Sequence, residues 1–470
     1  MSKSPPKGDP MTETLRSDPS ASADLAEAPG GRLQLGFLGQ INAVFLSYVG
    51  SAALTFGSAV LVARALGPEG RGIYGLFLLS ASIAQAMLGL GLGVSAVYHL
   101  GKRTYSLPRV VANAQQVTFA SAVVSVLLVL LAWPVLGQTL LDHDTPYWLF
   151  AFAVPLFLNY NLLTTILQGA SRFLAMNAVI LVQPLVLFGL LAVGVIVGDV
   201  DTKAALVFWC IATLVASLLA LALLARDGLR VGELLRVDGS SLREQVRFGM
   251  QGQVGNLIQL LNYRLDQYIV LLFVSTAGVG IYAVSVTVSQ TIWFFANAVA
   301  AVLLPRLTAT DKAEAARTTP LVCRNTLLVS VLAAGALAAF SPWLIEGLFS
   351  KDFSSAVVPL LWLLPGTVAL AGSKILTSYI FSQGRPLTNS LITAAALAVT
   401  LVADFALIPP LGVTGAAIAS SIAYSVHFAL SLVAYRNLSG GSMWEAVVVR
   451  GDDLRRYVDA ARERLAPART

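Results

Sequence analysis

The sequence predicts an all-α integral membrane protein, with about twelve transmembrane helices in two six-helix lobes. Three observations lead there. The 470-residue chain is 56% hydrophobic and only 12% charged, where soluble domains carry about 25% charged residues. Apolar runs of the roughly 20 residues needed to cross a bilayer recur along it. Short motifs also return in the second half, in the same order and at similar offsets, as expected for a six-plus-six repeat.

Composition narrows the function classes. The two cysteines, Cys210 and Cys323, lie in separate apolar segments, so neither a disulfide framework nor a cysteine metal cluster is expected. Three widely spaced histidines, His99, His143 and His427, argue against a metal site. The net charge of +6 sits largely in loops and tails. In a membrane chain that points to orientation and anionic lipid, not to nucleic acid. No G-x-x-x-x-G-K-[ST] loop for ATP occurs.

Residues 1–37 are expected to be a disordered cytoplasmic tail. The first 35 are rich in Pro, Ser, Asp, Glu and Gly and lack the apolar core of a signal peptide. The N-lobe, 38–225, holds six expected spans: 38–63, 74–99, 110–136, 147–168, 177–198 and 204–225. Residues 226–249 form the longest connection and read as a cytoplasmic inter-lobe linker. The C-lobe, 250–435, holds six more: 250–274, 281–304, 321–341, 356–381, 388–408 and 413–435. Pro155, Pro184, Pro359 and Pro365 fall inside spans, where neighbouring helices can satisfy the freed backbone groups. Residues 436–470 form a polar cytoplasmic tail. Within it Asp452–Leu465 reads as a short amphipathic helix that lies on the membrane or docks a partner.

Lys and Arg in the connections set the orientation. With the N-terminus inside, the cytoplasmic loops carry fourteen, among them Lys102, Arg103, Arg109, Arg226, Arg247, Arg306 and Arg385. The outer loops carry four, Arg64, Arg71, Lys203 and Lys351. The positive-inside rule selects this arrangement, with both termini cytoplasmic. The outer loops are too short to hold a catalytic domain. That argues against reading Asp142-His143-Asp144 as the D-x-D metal–nucleotide motif of glycosyltransferases.

The repeat rests on two matches. Gly72-Ile73-Tyr74-Gly75 returns as Gly280-Ile281-Tyr282-Ala283, 208 residues later, and Gln168-Gly169 returns as Gln383-Gly384, 215 residues later. Such parallel repeats place substrate at the interface between halves, near the bilayer midplane.

Ionisable residues inside spans are the functional candidates, because a charge at bilayer depth costs about 2.5–3.5 kcal/mol on insertion scales. The seventh span holds Arg264 and Asp266. Asn256, Gln259, Tyr263 and Asp266 share one helical face, and Arg264 lies about 200° from Asp266, too far around for good pairing. Either these groups serve a cavity, with Arg264 cationic and Asp266 binding a coupling cation, or they fix the halves by inter-helix ion pairs. If the stripe faces the cavity, Arg264 turns to a neighbouring helix and Lys374 becomes the better anion site. Lys374 in the tenth span faces the cavity or snorkels to the interface. Asp404 in the eleventh binds a proton or cation, pairs with Arg64 or Arg71, or reaches the outer surface. Arg64 and Arg71 flank Gly67-Pro68-Glu69-Gly70 and meet either an anionic headgroup or substrate phosphate, or Glu69. His99 and His427 read as packed or interfacial residues.

Four stretches resemble the polysaccharide-biosynthesis transporters that flip lipid-linked oligosaccharides, within the multidrug/oligosaccharidyl-lipid/polysaccharide exporter superfamily. They are 61–74 (LVARALGPEGRGIY), 266–282 ending Val279-Gly280-Ile281-Tyr282, 303–306 (LLPR) and 408–419 (IPPLGVTGAAIA). The resemblance implies a V-shaped two-lobe transporter in the inner membrane. It implies alternating access to a polyprenyl-diphosphate-linked repeat unit, for exopolysaccharide, capsule or O-antigen synthesis. It also implies a cationic cavity, coupling to Na+ or H+ without other cofactors, and possible company from other polysaccharide assembly proteins. Family members often carry Asn where this chain has Asp404. By residue type, Asn256, Gln259, Tyr263, Gln290, Trp293 and Asn297 suit the sugar, while Arg and Lys suit diphosphate. Competing readings are a cation-coupled multidrug exporter, a lipid II flippase and a membrane-embedded polymerase.

Overall fold

A computed structural model describes residues 37–139, 148–198, 200–226 and 239–448. The tail 1–36, the Asp142-His143-Asp144 motif and the amphipathic segment Asp452–Leu465 lie outside the described residues. Within them every regular element is helical, as the apolar periodicity requires.

Nine helical stretches among the described residues are long and apolar enough to cross a membrane. Two of these are pairs of passages. Phe37–Leu88 is broken at Gly67, whose φ of 64° favours glycine. The stretch 386–439 is broken at Gly412, with φ 58°, directly after Pro409-Pro410. The seventh passage, Gly239–Phe273, falls outside the apolar set because of its polar face. Counted this way, twelve passages result.

Their boundaries refine the sequence reading. The second passage breaks at Leu90 and Gly91, both at positive φ, and resumes as Leu92–Gly101. The eighth is kinked at Gln290, between Thr276–Ser289 and Thr291–Ala309. The seventh helix begins at Gly239, inside the segment read as a linker. Its first turns pack on the N-lobe, where Leu242 and Val246 lie against the core of helices two to six. Asn113 donates to Ser241 Oγ at 3.1 Å. Its C-terminal half belongs to the C-lobe, with Ile269 and Val270 packed on Tyr282, Leu363 and Ile408. The seventh helix is therefore a strut shared by both lobes.

In lipid, helix association relies on close van der Waals packing and hydrogen bonds more than on the hydrophobic effect. Small residues accordingly line the contacts. Ala416, Ala417, Ala419 and Ala423 are fully buried on the twelfth helix. Gly366 of the tenth sits so near Ser421 that a Cβ would lie 2.4 Å from its Cα. The lobes touch at two levels. At one end of the bundle the corner of helices one and two meets the start of helix eight, at Gly72 and Gly280. Toward the other end Gly91 meets Gly249, and Gln253 Nε2 donates to the Ala86 carbonyl at 2.7 Å.

Candidate functional site: uncompensated charges in the C-lobe

The polar residues of helix seven divide between two environments. Asn262 and Asp266, one turn apart, point into the C-lobe and are 2% exposed. Asp266 Oδ2 accepts from Tyr282 Oη at 2.5 Å and from Ser420 Oγ at 3.1 Å, and Oδ1 accepts from the Gln267 amide at 2.8 Å. Asn262 Oδ1 accepts from Thr400 Oγ1 at 3.1 Å. Four helices, seven, eight, eleven and twelve, thus converge on one buried polar cluster.

Asp404 completes it. It lies one turn beyond Thr400 on the same face, is fully buried, and neither carboxylate oxygen has a hydrogen-bond partner. Asp266 is near enough to act on it electrostatically, with the same sign of charge. Asn262 Nδ2 is also without a partner. Neither Arg64 nor Arg71 pairs with Asp404. The cluster holds oxygen donors of the hard type that Na+ or a proton prefers: Asp266, Asp404, Asn262, Thr400 and Ser420. No group of three or more His, Cys, Asp or Glu able to hold a metal occurs among the described residues.

Arg264 does not neutralise this cluster by direct pairing. It is half-buried, with Asp266 already occupied by hydroxyl and amide donors. Its charge reaches Asp266 of its own helix as well as Arg71 of the other lobe. Arg71 is itself buried, its guanidinium 5.9 Å from the Tyr74 ring and its Nε without a partner.

Lys374 forms the second centre. Its ammonium lies 5.1 Å from the Trp293 ring and 5.9 Å from the Tyr263 ring. Tyr424 closes an aromatic box, with centroids 5.8 Å from Trp293 and 6.2 Å from Tyr263. Trp293 is fixed by donating Nε1–H to the Thr367 carbonyl at 3.1 Å. Among the described residues the ammonium contacts ring faces and no carboxylate. Cation–π attraction of about 0.5–2 kcal/mol holds it there without neutralising it.

The other sequence candidates fall around these centres. Gln290 is half-buried at the kink of helix eight, and Asn256 and Asn297 are exposed. Arg64 is spent elsewhere: its Nε donates to the Leu348 carbonyl at 2.6 Å and its Nη2 to the Gly347 carbonyl, capping the ninth helix from the opposite lobe. Sequence reasoning missed Tyr282, Asn262, Thr400, Ser420 and Tyr424. A signal was present, since Ser420, Tyr424, His427, Ser431 and Tyr435 follow one helical face and are all buried.

Comparison with known proteins places this architecture. No curated protein sequence matches the chain. Among solved structures, the inward-facing conformation of a multidrug resistance MATE family transporter of the MOP superfamily superposes with a TM-score of 0.70 at 15% identity, covering 83% of this chain and 95% of that one. The lipid II flippase MurJ in its inward closed conformation gives 0.69 at 12% identity, covering 84% and 89%. An outward-facing MATE transporter gives 0.57 at 15% identity, covering 85% and 94%. The fold is that of MOP-superfamily transporters, and the protein is a multi-pass membrane protein. A family model described as polysaccharide biosynthesis protein matches residues 39–311, more than half of the sequence. The chain belongs to the polysaccharide biosynthesis protein family.

Proposed function

We propose that the protein carries a polyprenyl-diphosphate-linked oligosaccharide from the cytoplasmic to the outer leaflet of the bacterial plasma membrane by alternating access, without enzymatic chemistry. The observation that carries this reading is Lys374: a cation inside the C-lobe, over two aromatic rings, with no anion beside it among the described residues. A diphosphate supplies that anion, and the neighbouring rings suit sugar faces. Arg264 and Arg71 add one positive charge from each lobe. The polyprenyl chain stays in lipid.

Asp404 supports coupling to a cation gradient. A fully buried carboxylate with both oxygens unpartnered is stabilised by a proton or by Na+ held with Asp266, Asn262 and Thr400. Bound there, the cation would supply charge neutralisation inside the C-lobe. The Lys and Arg count of the loops supports cytoplasmic termini.

The Tyr263–Trp293–Tyr424 box favours a second reading, export of an aromatic cation. Proteoliposomes distinguish the two. A fluorescent polyprenyl-diphosphate sugar should change leaflets and a cationic dye should not. Dye transport without movement of the lipid would replace the first reading with the second.

A further inference from the structure

Helix nine, Lys312–Leu348, and helix twelve, Val413–Ser439, meet at one end of the C-lobe beside a groove of about 500 Å³. Helix nine lines it with Arg317, Leu321 and Arg324, at i, i+4 and i+7 and therefore on one face. Helix twelve lines it with Tyr435 and Ser439. That helix stops at Gly440, whose φ of 69° suits glycine, and the chain turns back onto helix nine as the short helix Met443–Val447. The returning segment supplies the remaining wall. Arg324 Nη1 donates to the Glu445 carbonyl at 3.2 Å, and Ala446 is fully buried in the cluster that holds Ala315, Cys323 and Tyr435.

The groove lies where two apolar spans stop. Tyr435 Oη donates to the Ala316 carbonyl at 2.9 Å, which sets the end of the expected span 413–435 beside the start of the expected span 321–341. Arg317 falls one turn before that start and Arg324 one turn inside it. On the returning segment Trp444 is 74% exposed and Val448 49% exposed. A bare tryptophan just past a span suits the bilayer interface, where the ring meets apolar surroundings and the N–H stays wet. Lipid headgroups reach a groove at this level as readily as water does.

Two arginines and one glutamate line the groove, leaving one net positive charge. Arg324 is buried and tied to the returning segment. Arg317 is exposed and has no hydrogen bond or ion pair to a described residue. One free guanidinium thus stands in a walled groove with the apolar side chain of Leu321 one turn away. A phosphodiester carries the single negative charge that balances this lining, and arginine holds it through paired donors. Inorganic phosphate would use the guanidinium alone. A phospholipid uses the apolar side as well.

We infer that this groove binds the headgroup of an anionic phospholipid, with its phosphate on Arg317. Basic pockets between spanning helices near the membrane surface take such headgroups. The site is separate from Lys374 and does not depend on the substrate proposed above.

Native mass spectrometry of the full-length protein, released from detergent containing equimolar phosphatidylglycerol and phosphatidylcholine, tests the site. Wild type should retain phosphatidylglycerol in preference. Arg317→Glu should weaken that binding at least about tenfold. Arg317→Lys keeps the charge and should keep most of the binding. Arg306→Gln, which removes an exposed charge from the last turn of helix eight, should leave it unchanged. Arg317 holds no described partner, so its variants should melt with wild type in lipid-free detergent. Equal retention by wild type and Arg317→Glu overturns the site, and is the result expected if residues beyond Val448 fill the groove instead. Displacement of the lipid by inorganic phosphate would mark a free-anion site and overturn the lipid assignment.

Discussion

Gly72 and Gly280 meet back to back across the lobe interface, and their surroundings are mutually symmetric. A Cβ on Gly72 would lie 2.0 Å from the Thr276 carbonyl oxygen and 3.1 Å from the Gly280 nitrogen. A Cβ on Gly280 would lie 1.8 Å from the Pro68 carbonyl oxygen and 3.0 Å from the Gly72 nitrogen. Pro68 and Thr276 are separated by the same 208 residues as the two glycines. The repeated Gly-Ile-Tyr motif therefore marks a pseudo-two-fold axis at this contact between the lobes. The chemistry around it is not duplicated: the position 208 residues before Asp266 is Ser58, so the acid belongs to the second half alone.

Gly72→Ala or Gly280→Ala should prevent this closure, because the added methyl meets rigid backbone and not a mobile side chain. Overpacking of this kind costs about 1–3 kcal/mol. Cysteines placed along the outer half of the cavity should react faster with a membrane-impermeant thiol reagent in either variant. Unchanged labelling would show that the glycine contact is not the outer gate.

The contact of Gly252 with Val94 at the opposite end predicts a reversible lock. A Cβ on Gly252 would lie 3.7 Å from Val94 Cβ, within the range that disulfides span. In the double variant Val94→Cys/Gly252→Cys, oxidation should stop transport and reductant should restore it. The native Cys210 and Cys323 are both buried and will compete little. Full transport by the oxidised, cross-linked protein would contradict the assignment of this contact as a gate.

Tyr282→Phe should weaken the C-lobe core. It removes the 2.5 Å donor to Asp266 and the contact with Ser420. Hydrogen bonds to charged groups contribute about 1.5–3 kcal/mol. A fall in thermal stability of the purified protein is expected, together with altered cation dependence. Unaltered stability would mean that Asp266 is neutral in the resting state.

Asp404→Asn should separate stability from coupling. The carboxylate has no partner to lose, so the amide should leave stability unchanged or raise it. Transport driven by a Na+ or proton gradient should lose its dependence on that gradient. Marked unfolding of the variant would show that Asp404 has a structural role instead.

Helix count, the two halves and the charged seventh span could be read from hydropathy and repeats, because bilayer thickness sets span length and burial makes charges conspicuous. Lys374 and Asp404 were identifiable for the same reason. Their partners were not. The i, i+3, i+7, i+10 reading grouped Tyr263 with Asp266, yet Asp266 shares its buried cluster with Asn262 one turn below, and Tyr263 faces Trp293 and Lys374. A ten-residue face spans enough angle to serve two neighbours, and only tertiary packing divides it. Arg64 illustrates the same limit: its carbonyl acceptors lie 283 and 284 residues away, beyond any local pattern. The start of helix seven at Gly239 was obscured by its low hydropathy, since those turns pack on the N-lobe.

The most direct test of the central claim is the rate at which a fluorescent polyprenyl-diphosphate sugar changes leaflets in proteoliposomes, compared between wild type and Lys374→Met. Methionine keeps the length and the ring contacts of the side chain and removes only the charge. The account predicts rapid movement by the wild-type protein and a loss of at least about tenfold in the variant, equivalent to about 1.4 kcal/mol of lost stabilisation. Equal rates in the two proteins would contradict it.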